Sequence, residues 1–135
     1  MALQLSVAVR NAMLDAIEST IGTSAVLKIR TGAPPASVAT ADSGTVLATL
    51  TLPSDWMAAG SSGSKAKSGT WEDASADAAG TAAHYRIYAS DGTTAHLQGT
   101  VTATGGGGDL TVDNTSFAAG QSFTVTSYSW TAANS

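Results

Sequence analysis

The residues best suited to proton transfer or metal ligation are two histidines, His84 and His96. They lie on either side of Ser90-Asp91-Gly92-Thr93-Thr94, where an Asp-Gly pair between alternating apolar runs specifies a hairpin with arms at 82–89 and 95–103. With the turn centred on Gly92, His96 faces Tyr88 and shares a sheet face with His84, about 13 Å away along the strands. A register shifted by one residue puts the two imidazoles on opposite faces. Neither arrangement brings both within about 2 Å of one metal ion. A half-buried or interfacial role is expected for each.

A second chemical possibility is the acidic run Glu72, Asp73 and Asp77. Asp73-Ala74-Ser75-Ala76-Asp77 alternates oxygen ligands as the opening of a calcium loop does, which makes weak calcium binding at Asp73 and Asp77 the minor reading. Ala78 stands where the sharp turn wants glycine, and no bidentate Glu closes the loop. A carboxylate pair for glycoside hydrolysis needs one member with a raised pKa, and a polar loop does not raise it. The chain holds no Gly-x-Ser-x-Gly elbow, Walker loop, dinucleotide fingerprint or His-Glu-x-x-His pair. Gly105–Gly108 is followed by Asp109 and a strand, not by a cation and a helix N-terminus, so it reads as a flexible connection and not a phosphate cradle. Catalysis is not expected, nor are cofactors.

Charge and composition narrow the partners. Six Lys and Arg against ten Asp and Glu give a net charge of −4, and the basic residues are dispersed, which disfavours nucleic acid. No run is long and apolar enough to span a membrane, and Arg10 and Asn11 interrupt what would be the core of a secretion signal. With no cysteine, disulfides and thiolate metal sites are absent. Ala, Ser, Thr and Gly fill about half of the 135 residues, while only 12% are charged. Few large apolar residues make a thin core, so contacts between subunits, including a homo-oligomer, are expected. Small uncharged side chains lose little hydration and little rotamer freedom when covered.

The elements that carry these residues are one helix and a series of strands. Leu5, Val9, Met13, Ile17 and Ile21 form an i, i+4 row read as the buried face of a helix within 1–22, with Ser6 as N-cap and Gly22 ending it. Arg10, Asn11, Asp15 and Glu18 are read as its solvent side. The row is alternatively a docking surface for a neighbouring subunit. Residues 25–30 alternate as a strand with one buried face, and 45–52 read as a central strand. Trp56, Met57 and Trp71 anchor the core. The stretches 58–69 and 72–80 read as flexible, with Lys65 and Lys67 solvated and available to an acidic partner. On a last strand over 122–131, Phe123 and Val125 point one way and Tyr128 and Trp130 the other, so one pair meets either a second layer or a partner. The expected fold is mainly β: an antiparallel β-sandwich or jelly roll over 23–135 with one N-terminal α-helix.

Several segments carry a family resemblance. Leu5-Ser-Val-Ala-Val-Arg-Asn-Ala-Met-Leu-Asp-Ala-Ile-Glu, Leu27-Lys-Ile-Arg-Thr-Gly, Leu52-Pro-Ser-Asp-Trp, Ser68-Gly-Thr-Trp and Val112-Asp-Asn-Thr-Ser-Phe-Ala-Ala-Gly-Gln-Ser-Phe-Thr-Val-Thr-Ser resemble small structural proteins of tailed bacteriophages. The resemblance implies a virion component assembled in the bacterial cytoplasm, with the major capsid protein or other virion proteins as partners. A capsid decoration or cement protein over junctions between capsid subunits is the first expectation, and a tail or tail-fibre attachment module the second. No catalytic or metal-binding residue comes with it. The partner-contact candidates are Leu5, Val9, Met13, Lys65, Lys67, Tyr128 and Trp130.

Overall fold

The computed structural model describes residues 3–132. Helix α1 (Val7–Ile21) leads into β1 (Val26–Arg30), β2 (Val46–Thr51), β3 (Ser64–Ala66), β4 (Trp71–Asp73), β5 (Gly80–Thr81), β6 (His84–Tyr88), β7 (Ala95–Ala103), β8 (Leu110–Val112), β9 (Ser116–Phe117), β10 (Phe123–Val125) and β11 (Ser129–Thr131). Ser6 caps α1 by accepting from the Val9 amide at 3.2 Å, and Gly22 ends it at φ 94°, its amide bonded to the Glu18 carbonyl. Both caps are those legible in the sequence.

The main sheet has the order β2-β1-β6-β7-β8, and three two-stranded ribbons, β10-β4, β11-β3 and β5-β9, pair beside it. The fold is thus mainly β, sandwich-like and rich in antiparallel pairs, with one N-terminal helix. The Asp-Gly hairpin forms, with His84 opposite Thr100 and Ile87 opposite Leu97, but a bulge then pairs Tyr88 with Ala95, so His96 does not face Tyr88 as the sequence reading expects. Along β1 and β6, Leu27, Ile29, Tyr85 and Ile87 point to one face, where they join Trp56, Trp71, Phe117, Phe123, Val125 and Tyr128 in the core.

Several further sequence expectations change. β1 is buried on both faces, with Arg30 only 7% exposed, because the segment between β1 and β2 lies over the side taken for solvent. β2 is an edge strand, not a central one. Its apolar character reflects a different cover: Asp73 accepts from the Thr49 amide at 2.9 Å, and the Leu47 carbonyl accepts from the Asp77 amide at 2.8 Å. The edge is thereby capped instead of left open for pairing. The stretches 58–69 and 72–80 are not loose; they hold β3, most of β4 and the start of β5.

The last strand is two. Residues 126–128 leave the ladder between β10 and β11, which breaks the period of two. Phe123, Val125 and Tyr128 are therefore all buried, and Trp130 packs against the same core.

The four-glycine tract joins β7 to β8, which run parallel, Val101 opposite Leu110. Parallel neighbours ordinarily need a crossover of a dozen residues or more, about twice what is available here. The chain manages by folding back against β7. The Gly108 amide donates to Thr102 Oγ1 at 3.0 Å, and the Asp109 carboxylate accepts from the Thr100 amide at 2.9 Å. A Cβ on Gly106 or Gly108 would sit 2.8 Å from Thr102 side-chain atoms, so glycine is a steric requirement there.

Candidate interaction surface

Helix α1 docks by its polar side. The Asn11 amide oxygen accepts from the Gly63 amide at 2.8 Å, Asp15 from the Gly60 amide at 2.9 Å, and Glu18 from the Met57 amide at 3.3 Å. Arg10 donates to the Ala132 carbonyl at 3.4 Å. Lys65 reaches up from β3 to Asp15 at 2.7 Å and Glu18 at 2.8 Å, with its side chain 2% exposed. Burial pushes the Lys65 ammonium toward neutrality, but its hydrogen bonds to the two carboxylates outweigh this and hold its pKa above the usual value. The hydrogen bond from Lys65 lowers that of Asp15 in turn. Of the helix's apolar residues, only Leu14 and Ile21 are fully buried.

The sides of the helix are therefore exchanged relative to the sequence reading. An i, i+4 row advances by about 40° per step on a helix of 3.6 residues per turn. The row beginning Leu5, Val9, Met13 is thus a ridge that winds from solvent into the core, not a face. Ile21 is buried and Ile17 half-buried, while Val9 is 46% and Met13 50% exposed. Leu5, just before the helix, is half-buried. The outward arc holds Ala8, Val9, Ala12, Met13, Ala16, Ser19 and Thr20, with Val7 at its N-terminal edge, and no charge. Among the described residues, every large apolar side chain classed as exposed (Leu3, Val7, Val9 and Met13) belongs to this helix or the residues before it. Beside it runs an open groove of about 300 Å³ lined by Met13, Ala16, Ile17, Thr20, Ile21 and His96.

The other candidates turn inward. Lys65 is engaged within the chain. Lys67, half-buried, donates to the Gly69 carbonyl at 2.8 Å with its ammonium 5.7 Å from the Trp71 ring centroid. Tyr128, 6% exposed, meets Tyr85 hydroxyl to hydroxyl at 2.6 Å and accepts from the Trp130 indole at 2.7 Å. Burial drives the hydroxyl pKa of both tyrosines upward. Trp56, Trp71, Tyr85, Tyr128 and Trp130 form one edge-to-face and tilted aromatic cluster, with centroids 5.5–6.0 Å apart. These are core contacts: Tyr128 is buried, which takes it out of the exposed surface, and Trp130 is half-buried against the same cluster.

The remaining chemical candidates also find internal roles. His84 is fully buried and donates from Nδ1 to the Gly32 carbonyl at 2.7 Å, whereas His96 is exposed at the groove. Asp73 and Asp77 converge on Thr49, the latter accepting from its hydroxyl at 2.7 Å. Among the described residues no three His, Asp or Glu side chains gather as a metal site would require.

The polar row Asn11, Asp15 and Glu18 was legible as the helix's true docking side, had it been matched to the lone lysine of β3. Comparison of the chain with protein-family profiles, curated proteins and solved structures finds no match in any of the three.

Proposed function

We propose that this chain is a non-catalytic structural subunit of a bacteriophage virion, a capsid decoration or cement protein that docks through the outward face of α1. One observation carries the docking surface. The helix turns its charged side chains toward its own domain and presents Val7, Val9 and Met13 among alanines to solvent. In an isolated domain the opposite placement is favoured, since apolar area costs about 25 cal/mol per Å² when left in water. An uncharged, ridged helix face is instead suited to lie in an apolar groove of a larger partner. The virion setting rests on the sequence resemblance, and the low-charge β-rich body supports it.

The test is a double substitution, Val9→Asp with Met13→Asp, in which both side chains already face water. The variant is expected to match the parent in thermal unfolding and to lose most of its binding to decoration-free capsids in a sedimentation assay. Unchanged capsid binding by the folded variant would remove the helix face from the proposal. Quantitative staining of purified virions addresses placement: a decoration protein is present on the order of hundreds of copies, a tail ring on the order of ten.

A further inference from the structure

Three of the chain's six Lys and Arg residues, Lys28, Arg30 and Arg86, lie on the sheet face opposite the core. They sit beside His84 in a register that places Lys28 directly across from Arg86 and Arg30 directly across from His84. The like charges of Lys28 and Arg86 so placed repel. The face is covered by residues 31–45, a strap that contains no helix or strand. The strap is held through its backbone. The carbonyls of Gly32, Pro35, Ser37 and Gly44 accept from His84, Gln98, Arg86 and Arg30, at 2.7, 2.8, 3.0 and 3.4 Å.

Among the described residues the one carboxylate in this arrangement is Asp42. It takes Arg30 on Oδ2 at 2.9 Å, and Arg86 and Tyr88 on Oδ1 at 2.8 and 2.9 Å. Its side chain is 36% exposed, while those of Arg30 and Arg86 are 8% and 2%. Lys28 pairs with no carboxylate among the described residues; it donates to the Gly92 carbonyl at 2.9 Å and lies over the Tyr88 ring. The strap also leaves a donor unfilled, because among the described residues the buried Arg30 Nε has no hydrogen-bond partner. The face is thus a row of side-chain donors holding peptide carbonyls, with three cationic side chains against one carboxylate among the described residues.

We propose that residues 32–44 are a built-in occupant of a docking face on β1, β6 and β7 whose external partner is an extended acidic peptide, Asp42 standing in for that partner's carboxylate. The face is separate from the apolar side of α1 and rests on different residues. The closed strap competes with the partner, so the apparent affinity of the parent chain is reduced by the small fraction of open molecules.

The experiment titrates a fluorescent octaglutamate peptide with the parent, D42N and the charge-matched control D55N, by anisotropy at low and high salt. D42N is expected to bind about tenfold tighter than the parent, as removal of a competing occupant allows. D55N should bind like the parent, and adding R86Q to D42N or raising the salt should abolish the gain. Elastase at neutral pH should cut D42N within Val38–Ala41 and leave the rest intact. If D42N does not fold, P34G/P35G, which loosens the strap and keeps Asp42, is expected to show the same gain. Equal binding by parent and by a folded, strap-cleavable variant overturns the proposal. So does a gain matched by D55N or one that R86Q leaves in place.

Discussion

At the scale of single residues, Lys65 ties the helix to β3. Among the described residues its ammonium is the only cation paired with Asp15 and Glu18, and its own burial is tolerated because it hydrogen-bonds to both carboxylates. Lys65→Ala leaves those carboxylates facing β3 without a counter-charge. Breaking a fully buried pair costs about 3–5 kcal/mol; with Asp15 nearly half exposed, a loss of about 2 kcal/mol is expected, measured as a lower urea midpoint. The pairing also has a pH signature. Lys65 has a raised pKa, so its contribution is complete below 10.5 and is lost as pH rises through its folded value.

The carboxylates behave oppositely. Asp15, Asp42 and Asp91 are all lowered from 3.8, so their contributions are present above that value and vanish as pH falls through the lowered ones. For Asp91 the first cause is the Thr94 hydroxyl at 2.6 Å, followed by the Thr94 and Thr93 amides at 2.9 Å. Urea midpoints measured from pH 5 downward should fall steeply in the parent below about pH 4 and less steeply in Asp91→Ala. Equal slopes would show that the turn carboxylate does not couple to folding.

At the scale of elements, the connections carry more of the structure than their composition suggests. The glycine tract after β7 is the clearest instance. It reads as a flexible link because glycine is permissive, yet two of its members are present because there is no room for anything larger. Gly108→Ala places a methyl group 2.8 Å from Thr102 Oγ1 and 3.0 Å from the Thr102 amide nitrogen. A destabilisation of about 2 kcal/mol is expected from such overpacking. It should be accompanied by faster amide exchange in β8, whose pairing depends on the fold-back. Similarly, β2 survives as an apolar edge because residues 73–77 supply a carboxylate and an amide to its backbone. The break between β10 and β11 puts both halves of what reads as one strand into one core.

For the molecule as a whole, the sheet divides two kinds of interior. On one side Trp56, Trp71, Tyr85, Tyr128 and Trp130 pack with every indole N–H satisfied, by the carbonyls of Gly22 and Ser68 and by the Tyr128 hydroxyl. On the other side lies a charged layer under the strap. The helix closes the first side with its polar residues and leaves an apolar surface outside, so the domain ends in a face that water does not favour. Substitution at Tyr128 or Trp130 therefore perturbs core packing, whereas the exposed positions Val9 and Met13 test association with the packing left intact.

Local signals alone determined the helix with its Ser6 and Gly22 caps, the Asp-Gly hairpin as far as Ile87 opposite Leu97, the Trp56, Met57 and Trp71 anchors and the mainly β class. Each depends on residues within a turn or two of one another, or on a period read along a single strand. The tertiary structure decided which face of each element is inside. Whether a lysine is solvated or buried depends on a carboxylate 50 residues away. Whether Arg30 and Arg86 face water depends on a strap whose sequence, rich in Ala, Ser and Pro, carries no hydrophobic signal. Polar burial is set by partners brought together only on folding, and such partners leave no periodicity in the chain.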